Sequence, residues 1–193
     1  KDLGAGTLGV EISAYGEKII TNCGGSEITG KNPEYLKYSA AHSTIILDNT
    51  NISEIKEGFF RRNFVKKVHF ETKDEEDLQI LSGTHNGYAK NFKKICKRIL
   101  YVNKTRESLR GEDTIISTKT IVEKNVYHLR FHLMPEITTT MTENKKNIII
   151  KTKKNNIWMF RSNKEMIIEK SIFVRDDIAN ETTQIVISGI TST

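Results

Sequence analysis

The chain has 193 residues, with 30 basic against 24 acidic side chains, a net charge of +6 and a pI near 9.2. Hydrophobic residues make up 37% of it and mean hydropathy is −0.45, which suits a soluble domain with a substantial core; no apolar run approaches the roughly 20 residues that a membrane-spanning helix needs. The basic balance favours acidic partners, whether nucleic acid, anionic glycan or membrane surface.

The dominant period along the chain is two, the mark of half-buried strands. Leu8, Val10 and Ile12 alternate with Gly9 and Glu11 and predict a strand over 7–13. It follows Lys1 so closely, with no Met or leader ahead, that the chain reads as a fragment of a longer protein. Tyr15-Gly16-Glu17-Lys18 reads as a hairpin connection into a strand over 18–23. Residues 24–39 form the longest irregular stretch, broken by Gly24-Gly25, Gly30 and Pro33, and they carry Tyr35 and Tyr38. Loops of that length are often functional. Strands follow over 43–48, 64–71, 78–82, 98–102 and 113–122, with helix confined to short pieces over 51–57 or 87–93. Glu123-Lys124-Asn125 reads as a second hairpin connection. Beyond it Tyr127, Leu129, Phe131 and Leu133 alternate with His128, Arg130 and His132. Four more strands are predicted over 147–153, 157–161, 166–174 and 182–188. β-Branched and aromatic residues fill these segments. The expected fold is all-β, an antiparallel β-sandwich with few or no helices. One domain is expected over 1–193, since nothing in the middle reads as a linker.

Several function classes find no support. No phosphate loop, nucleophile elbow or HExxH pattern is present. Cys23 and Cys96 form no CxxC or zinc spacing and read as two buried free thiols; a bridge would need Cα atoms within about 7 Å. The Lys-Asn clusters, Lys31-Asn32, Lys145-Lys146-Asn147 and Lys153-Lys154-Asn155-Asn156, read as solvated turns. None interleaves with aromatics as a single-strand nucleic-acid platform would. Nucleic acid and membrane are therefore not expected partners.

A set of short blocks is more specific. In order they are Ala40-Ala41-His42-Ser43-Thr44, Leu109-Arg110-Gly111-Glu112-Asp113, Arg130-Phe131-His132-Leu133-Met134-Pro135, Trp158-Met159-Phe160-Arg161, Glu169-Lys170-Ser171-Ile172-Phe173-Val174 and Thr183-Gln184-Ile185-Val186. Each is weak alone. Together, from Gly6 to Val186, they resemble the C-terminal part of the heparinase II/III-like family, which cleaves acidic polysaccharides by β-elimination. The resemblance implies a sandwich of the super-sandwich type that forms one wall of a cleft. An upstream α/α toroid forms the other wall and supplies much of the catalytic set, including a Tyr. It further implies an acidic polysaccharide as partner, leaves a homodimer open, and suggests a periplasmic or secreted compartment.

Elimination beside a uronate needs three groups: one to neutralise the carboxylate, a base for the C5 proton and an acid for the leaving oxygen. His42 and Tyr35 are the candidate catalytic residues. His42 matches a family position that often ligates a structural metal, and a hydrogen-bonded histidine at a strand start is the alternative. The other family ligands are a His ahead of the Gly-Thr-Leu strand and an Asp ahead of a Gly. Here Gly4 or a neighbour and Asn22 stand in those places, and neither suits a zinc-like ion. No cofactor is required on this reading, and His42 would be the remnant of a degenerate metal site. Candidate substrate contacts are Tyr38, His85, Tyr88, Arg110, Arg130 and His132. For His85 and Tyr88 the alternative is a fixed Asn86-Gly87 turn. For Arg110 it is a structural pair with Glu112 or Asp113 rather than a fork on a carboxylate. The row His128, Arg130 and His132 could meet a glycan or be buried polar structure. Trp158 and Phe160 share a strand face and read as a core or interface pair before a sugar platform. A non-catalytic glycan-binding domain of a degenerate lyase, or a purely structural sandwich, stays open beside the lyase reading.

Overall fold

The structure, a computed structural model, describes residues 5–25, 33–53, 55, 67–120 and 123–191. Its strands are β1 (Ile12–Ala14), β2 (Glu17–Thr21), β3 (Gly24–Gly25), β4 (Ile45–Leu47), β5 (Val68–Asp74), β6 (Leu78–His85), β7 (Lys94–Asn103), β8 (Ser108–Ser117), β9 (Val126–Leu133), β10 (Thr138–Met141), β11 (Asn147–Lys151), β12 (Ile157–Arg161), β13 (Met166–Arg175) and β14 (Ile178–Ile190). One short helix, α1 (Ala89–Phe92), and two 3-10 turns, Glu34–Lys37 and Ser39–Ala41, are the other regular elements. The protein is mostly β and mostly antiparallel, as expected; among the described strands β3 on β13 makes a parallel pair.

The chain divides into two compact units, residues Lys1–Asn51 with Val126–Gly189, and residues Ile52–Asn125 with Ile190–Thr193. The first holds a large sheet in the order β1-β2-β9-β14-β13-β3, with β4 also on β9, and a small sheet in the order β10-β11-β12. Alternation decides how the two sheets meet. β11 buries Ile148 and Ile150 and exposes Ile149 and Lys151, so one face of a pleated strand turns inward. Its neighbour β12 sends Trp158 and Phe160 the same way, because they pair with Ile150 and Ile148. Phe160 meets Phe131 of β9 edge-on, with ring centroids 5.0 Å apart. Buried Leu129, Leu133, Met166 and Ile185 contribute from the large sheet. This is sandwich packing over one apolar layer, and it places Trp158 and Phe160 in the core-facing row as expected. A second small cluster of Cys23, Leu36, Ala41 and Val174, with Ile172 against it, anchors the two 3-10 turns.

The second unit is a four-stranded antiparallel meander, β5-β6-β7-β8. Arg98 and Asp113 lie directly opposite on β7 and β8. Their side chains form a fork, Nε to Oδ1 at 2.8 Å and Nη2 to Oδ2 at 3.1 Å, largely out of water. Lys94 is fully buried; its ammonium donates to the carbonyl of Glu123 and to Asn125 Oδ1.

Several boundaries differ from the sequence reading. Thr7–Gly9 is not strand: Leu8 is left-handed at φ 58°, and Gly9 N–H donates to the Gly6 carbonyl in a turn. The 123–125 segment is no hairpin, because β8 and β9 belong to different sheets; Lys94 holds it instead. Residues 64–66, 121–122 and part of 51–57 lie outside the described residues. Thr138–Met141 forms β10, a strand missing from the sequence reading although its β-branched threonines favour one. The Tyr15-Gly16 hairpin is present, as is a short helix within 87–93. Both cysteines are free and buried.

Gly24 is left-handed at φ 77°, and a Cβ there would lie 2.1 Å from the Val174 carbonyl oxygen, on the strand it pairs with. Gly24→Ala is therefore expected to cost at least about 2 kcal/mol in urea unfolding. Gly111→Ala, which meets only Leu100 at 3.5 Å, should stay within about 0.5 kcal/mol of the parent. Equal effects would contradict the close approach.

Candidate functional site

Apart from His42, the block from Ser39 to Thr44 consists of small and hydroxyl residues because its backbone is stitched into the first unit from several sides. Ser39 Oγ donates to the Ala5 carbonyl at 2.8 Å, and Ser39 N–H donates to Asn51 Oδ1 at 2.8 Å. Ser43 Oγ donates to the Thr21 carbonyl at 2.5 Å and accepts from His132 N–H at 2.9 Å. Thr44 Oγ1 donates to the Thr7 carbonyl at 3.0 Å. Larger side chains would push these partners apart. The preceding turns bring Tyr35 and Tyr38 to the surface, 43% and 37% exposed. Tyr38 donates its phenol to Glu34 at 3.1 Å.

His42 closes this run. Gly6 sits against its ring; a Cβ on Gly6 would fall 2.6 Å from Nδ1. Its Nε2 is buried and has no hydrogen-bond partner among the described residues. Burial lowers its pKa, with the Glu11 carboxylate pulling the other way, so the ring is neutral near pH 7. That neutrality suits a base, but a buried Nε2 counts against His42 taking a sugar proton through that atom.

Asn22 behaves as an amide and not as a vestigial ligand. Its Oδ1 accepts from Ser43 N–H at 2.9 Å, while its Nδ2 donates to Glu11 Oε1 at 3.2 Å. A carboxylate could accept from Ser43 but would face Glu11 with a like charge. Glu11 also takes Lys18 Nζ at 2.8 Å and Thr21 Oγ1 at 3.3 Å. Among the described residues no three His, Cys, Asp or Glu side chains are grouped to hold a metal.

The row on β9 is divided. His132 is 2% exposed. Its Nε2 donates to the Ala40 carbonyl at 2.9 Å, which leaves Nδ1 to accept from Ser171 Oγ at 2.7 Å. Burial drops its pKa to about 4; the Ala40 carbonyl opposes this, and Arg130 and His42 add to it. His132, an expected substrate contact, is thus enclosed, with its hydrogen bonds used within the fold. Arg130 donates to Glu169 Oε2 at 3.0 Å, an oxygen that Gln184 Nε2 also approaches at 3.3 Å. Arg130 Nε and Gln184 Oε1 are buried without partners among the described residues. His128 pairs with Ser188 at 2.8 Å.

In the second unit His85 and Tyr88 are both 1% exposed and pack ring against ring at 5.8 Å. His85 Nδ1 accepts from Gly87 N–H at 3.2 Å, across the Asn86-Gly87 turn. Both of these expected contacts lie enclosed beside that turn. Burial, then Arg98, pushes the His85 pKa down to about 4. Arg110 is 75% exposed; it pairs with Glu112 and lies 5.6 Å from the Tyr101 ring centroid. The structural pairing holds for Arg110, and its guanidinium remains on the surface. Arg98, Lys94, Glu169 and Ser171 are partners that the sequence did not single out, since cross-strand register decides them.

The model of the heparinase II/III-like, C-terminal family matches residues 4–193. The chain belongs to this family of polysaccharide lyases. Its fold is similar to that of heparan sulfate lyase HepC from Pedobacter heparinus, with a TM-score of 0.72 at 14% identity over 97% of this chain. It is also similar to heparinase III, with a TM-score of 0.69 at 14% identity over 94% of this chain. The chain spans 28% and 27% of those two proteins. No curated protein sequence matches it.

The two enclosed imidazoles make stability depend on pH. Between their folded pKa of about 4 and the ordinary 6.5, the unfolded chain binds protons that the folded chain refuses. Stability is therefore complete above about pH 6.5 and lost as pH falls towards 4, on the order of 3 kcal/mol per histidine. In an NMR titration of the folded chain, His132 and His85 are expected to stay neutral above pH 5. Protonation of either near pH 6.5 would contradict their enclosure.

Proposed function

We propose that this chain is the sandwich portion of a polysaccharide lyase that cleaves a uronate-containing polymer by β-elimination. The observation that carries the reading is the family match along 190 of 193 residues (4–193). The likeness to two longer lyases supports it, as does the excess of basic residues. The domain contributes one wall of a cleft. Tyr35 and Tyr38 contact the polymer, and Tyr35 is the candidate proton donor or acceptor on this side. His42, the other candidate on this side, is neutral near pH 7 but has its Nε2 buried. Exposed Arg110 is the candidate cation for a substrate carboxylate. An upstream α/α toroid supplies the rest of the catalytic set, so the chain is inactive alone. Periplasmic or extracellular action fits such a substrate, and a homodimer is compatible with it.

The expected result is ultraviolet absorbance from an unsaturated product when the longer parent chain meets one of heparan sulfate, alginate, hyaluronan or pectin. Tyr35→Phe in that parent is then expected to lower kcat by about 10²-fold or more. No product from a folded parent on any of the four polymers would sink the lyase reading. Unchanged kcat would remove Tyr35 from the chemistry.

The way Asn22 is tied to Glu11 and Ser43 favours a second reading, an acidic-glycan-binding domain of a lyase that has lost its chemistry. It also leads us to infer that the fold stands without a structural metal. Dialysis against a chelator is expected to leave the thermal unfolding midpoint unchanged. A clear drop, restored by zinc, would overturn that inference.

A further inference from the structure

The β1–β2 hairpin turns on Tyr15 and Gly16, both left-handed, at φ 51° and 70°. Two-residue turns of this hand favour Asn, Asp or Gly at the first position. A bulky aromatic there is an outlier whose retention asks for a reason. The ring is not hidden: Tyr15 is 56% exposed. It lies stacked over Trp158, with centroids 5.6 Å apart and planes 29° from parallel. Beneath it, the Trp158 indole Nε1 is buried with no hydrogen-bond partner among the described residues. The fold thus keeps an indole whose polar atom goes unused, and a strained tyrosine that covers it only in part.

The adjoining loop is tied to the same hairpin. Glu17 accepts from Thr152 Oγ1 at 2.6 Å, from Lys154 N–H at 2.9 Å and from Asn156 Nδ2 at 2.8 Å. This clamp sets the Lys154 ammonium beside the turn, where a Cβ on Gly16 would lie 3.5 Å from Nζ. The Lys154 ammonium also helps to hold the Glu17 carboxyl below its ordinary pKa, so aromatic surface, cation and acid are held close together at this turn.

We propose that Tyr15 and Lys154 form a surface subsite for one acidic pyranose unit of a polysaccharide. The apolar face of the sugar ring stacks on the Tyr15 phenol, and its carboxylate or sulfate meets the Lys154 ammonium. An aromatic face takes the C–H side of a pyranose by dispersion and water release, while the cation selects the anionic polymer. The subsite rests on the acidic-glycan reading above but not on catalysis, so it is tested by binding.

The test is affinity electrophoresis of the chain through gels containing heparan sulfate, alginate or, as a neutral control, dextran. The chain is expected to be retarded by at least one acidic polymer and not by dextran. Tyr15→Asn, which suits a left-handed turn position, is expected to weaken that retardation about tenfold without lowering the unfolding midpoint. Lys154→Gln keeps the backbone donor to Glu17 and is expected to weaken binding and flatten its salt dependence. Retardation unchanged in both variants overturns the subsite while leaving the acidic-glycan reading intact. No retardation of the unaltered chain by either acidic polymer overturns both. If Tyr15→Asn unfolds the hairpin, the exposed Lys154→Gln variant decides alone.

Discussion

His132 has both ring nitrogens occupied in a place almost without water: Nε2 on the Ala40 carbonyl at 2.9 Å, Nδ1 on Ser171 Oγ at 2.7 Å. A buried polar ring is tolerated only when its hydrogen bonds are made. Only one neutral tautomer satisfies both partners, so the environment selects it. The backbone N–H of the same residue goes to Ser43 Oγ. One strand position of β9 therefore fixes the turn on one side, β13 on the other, and the start of β4 between them. The small residues of Ala40-Ala41-His42-Ser43 follow from this, since each approach leaves no room for a longer side chain. So does the placement of Tyr35 and Tyr38, which are carried on the turns that this knot holds.

The second unit answers the same demand with charge. Arg98 and Asp113 are both largely desolvated, and the fork between them satisfies four polar atoms at once. Such a pair adds little net stability against an apolar pair, but it leaves an uncompensated charge if either partner is lost. The Lys94 ammonium, buried against neutral oxygens, pins Glu123 and Asn125 in place. Polar groups thus do the locating in both units, while aliphatic rows supply the bulk of the burial.

What is enclosed and what is exposed then divide the chemistry. His42, His85 and His132 are drawn inward, where burial favours the neutral imidazole; His132 has both nitrogens paired, while Nε2 of His42 and of His85 has no hydrogen-bond partner among the described residues. Tyr15, Tyr35, Tyr38 and several cations stay outside. Asn22 shows what a single amide can do here: it gives Glu11 and Ser43 a shared partner.

The sequence by itself determined the class of fold and the family. Alternation with period two is a direct consequence of the pleat, so Tyr127 to Leu133, 147–151 and 157–161 could be read as strands with one face inward. Gly16 between two alternating runs announced the hairpin, although Tyr15 is an unusual residue for it. Short blocks in a fixed order carried the family resemblance. Tertiary structure alone decided which polar residues meet. Arg98 faces Asp113, and His132 faces Ser171, through strand register and sheet order, which no local pattern encodes. That is why His85, Tyr88 and His132 looked available and are enclosed. It is also why the 123–125 segment looked like a hairpin and instead leads from one sheet to another. β10 formed from a threonine run whose own propensity favours strand and which found the edge of β11. Local propensity reports what a segment can do; burial and pairing across the fold select what it does.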